Sequence, residues 1–196
     1  MSLALFPLTN LLFPGCKLDL QLFEPRYLDM LGRCLKQGNS FGVVGIIEGR
    51  EAGIAASNFS KVGCEALIRD WQQLPNGLLG IRVEGGRRFR VKNSWVEADQ
   101  LISAEIEWLQ EEAEQPLLEQ HADLVALLQA LAEHPLVDRL NLNSSPTGQQ
   151  MLANQLAYLL PFSIAEKARL LELNNPQQRL AQIQTLLERL QGSLGV

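Results

Sequence analysis

Leu5-Phe6-Pro7-Leu8, Leu12-Phe13-Pro14-Gly15 and Phe23-Glu24-Pro25-Arg26-Tyr27 decide how this chain is read. The first two are apolar runs broken by proline. The third puts Pro25 where a first helical turn tolerates a missing N–H, and Leu28, Leu31 and Leu35 then recur at helical spacing up to Gly38. The stretch therefore predicts strand, turn, strand and one short helix, with the next strand opening at Phe41-Gly42-Val43-Val44.

Working outward, Lys17 to Leu22 alternates, with Leu18, Leu20 and Leu22 on one face, the period of a half-buried strand. Arg50 to Ser60 is small and polar and reads as a loop. Val62 to Leu74 and Leu78 to Glu84 flank Pro75-Asn76-Gly77, a hairpin signal because Asn-Gly accepts positive φ at little cost. Gly85-Gly86 reads as a second tight turn, and Arg87 to Val91, Ser94 to Val96 and Leu101 to Leu109 as further strands. About six short strands at this spacing predict a closed or nearly closed barrel.

The pattern changes at Gln110, where Glu111-Glu112-Ala113-Glu114-Gln115-Pro116 is charged and carries no strand alternation. Beyond it, Leu124, Leu127, Leu128 and Leu131 share one helical face, as do Leu152, Leu156, Leu159 and Leu160. Ser163 with Glu166 forms a capping box, and Asn175-Pro176 opens a last helix carrying Leu180, Ile183, Leu187 and Leu190. The expected architecture is α+β: a six-stranded barrel with one short helix over residues 1–110, and a helical bundle packed on it over residues 111–196.

With 196 residues the chain can bury a real core without metal or disulfide help. Cys16, Cys34 and Cys64 are odd in number and contain no C-x-x-C pair, so buried reduced thiols are expected. No apolar run reaches the roughly 20 residues a membrane span needs, and no signal-peptide pattern opens the chain, so a cytoplasmic location is expected. The net charge of -5 argues against broad binding to nucleic acid or anionic membranes.

Catalytic chemistry finds little support. Gly38-Asn39-Ser40-Phe41-Gly42 matches G-x-S-x-G, but a nucleophile elbow runs strand, turn, helix, and here a helix ends where a strand begins. His121 and His134 have no second histidine or cysteine at ligand spacing, so neither a metal nor another cofactor is expected. His134-Pro135 reads as a helix end, where a cation is mildly favoured. No lysine follows a glycine, which excludes a Walker loop. Glu24 and Arg26 read as helix-terminus and ion-pairing residues, Tyr27 as an anchor for the helix, and Trp71, Trp95 and Trp108 as packing residues in strands. Arg88, Arg90 and Lys92 alternate onto one face, with Phe89 and Val91 on the other, which predicts either a solvated outer face or a nucleic-acid strip.

The three opening motifs, together with Met30, Val62-Gly63, Leu74-Pro75-Asn76-Gly77, Gly86-Arg87-Arg88-Phe89-Arg90-Val91, Leu159-Leu160-Pro161, Glu166-Lys167 and Leu170-Leu171-Glu172, closely resemble the N-terminal domain of Lon proteases. Asp19, Cys64 and Asn76-Gly77-Leu78 depart from that family's usual proline, threonine and Asp-Gly-Arg. The resemblance implies a barrel of the PUA-like type and a stand-alone, non-catalytic module that recognises unfolded or exposed hydrophobic polypeptide segments. Phe6, Leu12, Phe13 and Tyr27 are the candidate peptide-binding residues. The rivals are an RNA-binding module using Arg88, Arg90 and Lys92, and a regulatory partner of full-length Lon.

Overall fold

The computed structural model describes residues 1–140 and 142–194. Six strands, β1 (Ser2–Leu8), β2 (Lys17–Leu22), β3 (Phe41–Glu48), β4 (Asn58–Gln73), β5 (Leu79–Val96) and β6 (Ile102–Trp108), form one sheet in the order β2-β5-β4-β3-β1-β6. A further pairing joins β6 to the far end of β5. Only β1 and β3 run parallel, Leu5 opposite Gly42; the other pairs are antiparallel. Helix α1 (Pro25–Gln37) lies between β2 and β3 in sequence, and α2 (Ala122–Ala132), α3 (Pro135–Asp138), α4 (Gln149–Leu159), α5 (Ile164–Glu172) and α6 (Pro176–Leu194) follow the sheet.

Several elements form where the local chemistry places them. Gly77 takes φ 81°, the Leu74 amide donates to the Leu78 carbonyl at 2.8 Å, and the Asn76 side chain accepts from the Leu78 amide, which closes the β4–β5 hairpin. Ser163 and Glu166 exchange both hydrogen bonds of a capping box at the start of α5. Asn175 accepts from the Gln178 amide at 3.0 Å at the start of α6.

Gly85-Gly86 is a correction. It makes no turn: β5 runs unbroken from Leu79 to Val96 and incorporates the segment read as a separate strand at Ser94. The glycines serve close approach instead. Gly85 accepts from the Gly15 amide and donates to the Cys16 carbonyl, both at 2.8 Å, and a Cβ built there would collide with the Phe13 carbonyl. A register shift between Cys64 and Ala66 on β4 faces this point, so the pair marks a bulge. Likewise the polar loop stops short of Ser60, because β4 already begins at Asn58.

A single apolar cluster runs from Phe6, Leu12, Phe13 and Cys16 through Tyr27, Met30 and Val83 to Leu152, Leu156, Leu170 and Ile183. The helices after Gln110 thus share one core with the sheet, α5 lying against β3 and β4. A second cluster around Leu5, Val44, Phe89 and Ile106 fills the space between the strands. All three cysteines are free and buried.

Candidate functional site

The four residues proposed from sequence for peptide contact, Phe6, Leu12, Phe13 and Tyr27, are all buried, which corrects their assignment to a surface. Phe6 stacks on Tyr27 with ring centroids 3.9 Å apart, and the Arg26 guanidinium lies over the Tyr27 ring, 4.6 Å from its centroid. Arg26 also pairs with Glu24 at 3.1 Å and donates to the Gln100 carbonyl at 2.8 Å. These residues anchor α1 to the sheet. Their apolar character marks a core and a groove equally well, so sequence could not separate the two.

The basic strip is corrected as well. Arg88 is 0 % exposed. Its guanidinium pairs with Glu111 at 2.7 Å and donates to the carbonyls of Leu171, Leu173 and Gln110 at 2.7 to 2.8 Å and to the Asn174 side chain at 3.2 Å. Arg179, also buried, donates to the Leu170 and Leu173 carbonyls and to Asn154. Two arginines therefore satisfy the C-terminal carbonyls of α5, which the helix itself leaves open. Burial, then the neighbouring Arg88 charge, pulls the pKa of Arg179 down to about 10. Arg90 and Lys92 do reach solvent, but each already holds a carboxylate at 2.7 Å, Glu172 and Glu107. Alternation identified the shared face; it carried no information on which part of that face the helices cover.

The motif around Ser40 has no nucleophile geometry. Gly38 ends α1 with φ 66° and β3 follows, and the Ser40 hydroxyl donates to the Glu65 carboxylate at 2.6 Å. His121 is buried, with its Nδ1 accepting from the Leu118 amide, and burial holds its pKa below the ordinary value. His134 lies just past the end of α2, as read from sequence, and also stands before α3 as its N-cap, with Nδ1 accepting from the Leu136 amide at 3.3 Å. Burial raises the thiol pKa of Cys16, Cys34 and Cys64, which makes them poor nucleophiles.

A groove of about 580 Å³ lies where β3 begins. In the sheet order β3 sits between β1 and β4, but its pairing starts only at Leu5–Gly42 on one side and Phe41–Ala66 on the other. Ahead of Phe41 the chain turns away through Ser40 and Asn39 into α1, so Ser2–Ala4 of β1 and Leu67–Arg69 of β4 flank an open position. The wall is the C-terminal half of α1. Tyr27, Met30, Leu31 and Cys34 form its buried face, whereas Leu28 and Leu35, assigned to that face from their spacing, are 37 % and 44 % exposed. Leu35 lines the groove with Met30 and Arg33.

Three arginines and one carboxylate ring this groove. Arg87 reaches Glu65 at 3.3 Å while its guanidinium lies 3.8 Å over the Trp108 ring, and Arg69 pairs with Glu84 at 2.9 Å. Arg33 is exposed and has no ion pair within 4 Å among the described residues. Burial pushes the Glu65 carboxyl up, but the hydrogen bonds from Ser40 and Arg87 outweigh it and leave the pKa lowered, so Glu65 is a fixed anion. Trp71 and Trp95 are not packing residues as read from sequence: Trp71 is 57 % exposed and Trp95 is exposed too, while Trp108 is half-buried beneath Arg87. The signals sequence reading passed over were Leu28 and Leu35, apolar positions left outside the helix's buried face, and the excess length of β4 over β3.

Comparison with known proteins places this geometry. The family model described as the ATP-dependent protease La (LON) substrate-binding domain matches residues 2–189. The chain is 23 % identical over 187 residues to a Lon protease from Flavobacterium johnsoniae, a match covering 91 % of this chain and 23 % of that protein. It is 26 % identical over 142 residues to Lon protease 2 from Herpetosiphon aurantiacus, covering 68 % and 17 %. The chain thus spans a quarter or less of these relatives' length. The crystal structure of a Lon N-terminal domain protein from Xanthomonas campestris superposes with a TM-score of 0.75 at 32 % identity, covering 94 % of this chain and 98 % of that one. The N-terminal domain of the Mycobacterium avium complex Lon protease has the same fold, with a TM-score of 0.62 at 17 % identity and coverage of 93 % and 96 %. Among the described residues no helix is long and apolar enough to cross a membrane. A match over nearly the whole chain, joined by a neighbour of the same length and fold, establishes that the chain belongs to the Lon substrate-binding domain family.

Proposed function

We propose that this protein is a non-catalytic recognition module that binds polypeptide segments with exposed apolar side chains, and that the groove between β1, β4 and α1 is where it does so. The observation that carries the reading is the open position in the sheet ahead of Phe41, about 580 Å³ in volume and flanked by the exposed Leu35. Its size falls within the range of ligand-binding clefts, and strand edges are ready-made partners for an extended peptide. The pairing of β5 with both β4 and β6 supports reading the sheet as a barrel of the PUA-like type. The Lon proteases among its relatives support a link to proteolysis, either as a module that receives substrates or as a partner of a full-length Lon.

The test is binding of the purified protein to a labelled unfolded polypeptide and, in parallel, to a labelled RNA across a salt series. Peptide binding that weakens only gently with salt, and falls about tenfold on Leu35→Asp, is the expected result. RNA binding falling steeply with ionic strength would overturn the reading, because phosphate contacts release counterions.

A further inference from the structure

Resting on the reading above, we propose that the groove takes its polypeptide as an added β-strand on the free edge of β4, and that Arg33, Arg69 and Arg87 make it select acidic segments over basic ones. The edge is defined by the pairing. Leu67–Gln73 bonds to β5 along one side, from Leu67–Glu84 to Gln73–Leu79. Its other side loses β3 after Ala66 and has no strand partner among the described residues. That edge spans about 23 Å at the usual rise of ~3.3 Å per residue, room for a strand of about seven residues. A chain entering it lies in line with β3, between β4 and the start of β1, over Leu35.

Selection by charge follows from what lines the slot. The groove's ionisable side chains are Arg33, Arg69 and Arg87 against Glu65, apart from the buried Cys34 thiol, with Asp70 farther along the β4 edge, in a protein whose net charge is -5. Arg87 is held by Glu65 and Arg69 by Glu84, whereas Arg33 is uncommitted; Glu97 and Asp99 line the adjoining hollow on its far side but form no ion pair with it. An alternating strand places every second side chain on one face. Apolar residues then meet Leu35 and Leu67 while acidic ones meet the arginine rim. A basic segment meets the same rim as like charge, which is destabilising.

The probes are three labelled heptapeptides alternating valine with aspartate, with serine, or with lysine, and a fourth in which alternate amides of the valine–aspartate peptide are N-methylated. Each competes against the unfolded polypeptide on the full chain. The expected order is aspartate above serine above lysine, with about tenfold between the extremes, the few-fold effect of each of three exposed pairs combined. Arg33→Glu narrows or reverses the order, added salt narrows it, and N-methylation abolishes binding. Circular dichroism confirms that the exposed Arg33→Glu variant is folded. Equal affinity for the aspartate and lysine peptides, with the unfolded polypeptide still bound, overturns the inference and leaves the recognition reading standing. Undiminished binding of the N-methylated peptide overturns strand addition. If neither the peptides nor the unfolded polypeptide binds, both readings fall together.

Discussion

The protein has two arginine clusters, and they do opposite things. At the seam between sheet and helices, Arg88 and Arg179 are enclosed and spend their donors on the carbonyls that α5 leaves open. At the groove, Arg33, Arg69 and Arg87 lie at the surface, Arg69 and Arg87 each holding one carboxylate and Arg33 none among the described residues. A dry guanidinium whose donors are all satisfied fixes two elements against each other, because any rearrangement strands a charge. A wet one keeps its hydrogen bonds exchangeable and remains available to a ligand. The difference lies in what covers the strand, not in residue type.

Replacing Arg88 with methionine gives the largest effect expected. It keeps most of the packing but removes the donor that Glu111 Oε1 and the carbonyls of Gln110 and Leu171 share, while the Leu173 carbonyl keeps Arg179. A loss of about 3 to 5 kcal/mol is expected in urea unfolding. Arg90→Met, two residues along and paired to Glu172 on the surface, should cost less than about 1 kcal/mol. Equal costs would break the contrast between seam and rim.

Gly85→Ala comes next. The new methyl meets backbone rather than a side chain that can swing aside, so a loss of about 3 kcal/mol and a lower melting temperature are expected.

A third, smaller effect is in the pH dependence. Burial raises the thiol pKa of Cys16, Cys34 and Cys64 above the ordinary 9.0, so above pH 9 the folded protein keeps thiol protons that the unfolded chain releases. Stability therefore falls as pH rises. Lys167 acts in the other direction: burial pulls it down from 10.5 to about 8, and between those values the unfolded chain is the one holding the extra proton. Its Nζ donates to Asn10 and to the Tyr158 carbonyl. Between pH 9 and 10 three falling contributions against one rising leave a net loss of stability as pH rises. Lys167→Met should steepen that loss in denaturant titrations at several pH values.

The smallest effect on stability, and the one that sharpens the contrast most, is Leu35→Asp. Its side chain is exposed, so unfolding should shift by less than about 0.5 kcal/mol while affinity for unfolded polypeptide drops about tenfold. A stability loss as large as that of Arg88→Met would mean that Leu35 belongs to the core.

Features set by short-range chemistry were legible in the sequence. Asn76-Gly77 made its hairpin and Ser163 and Glu166 made their capping box, because each depends on residues a few positions apart. Misreadings arose where distant segments meet. Gly85 looked like a turn because nothing nearby announces that residues 13–16 will press against it. Arg88 looked solvated because its cover arrives from residues 110–111 and 171–174. The groove was invisible for the same reason. It is an absence, the place where β3 starts later than its neighbours, and register is not written in hydrophobic alternation.

The position of β1 carries a consequence for synthesis. Its Ser2–Leu5 segment pairs with Ile102–Glu105, and its Leu5–Leu8 segment with Gly42–Gly45. β1 therefore leaves the ribosome well ahead of a strand it must pair with, and it waits about a hundred residues for its antiparallel neighbour. At roughly 5 to 20 residues per second that is a delay of several seconds or more, during which an apolar edge stays open to chaperones or to neighbouring chains. Refolding from denaturant, where the whole chain is present at once, should accordingly yield less aggregate at a given concentration than nascent chains arrested before residue 102.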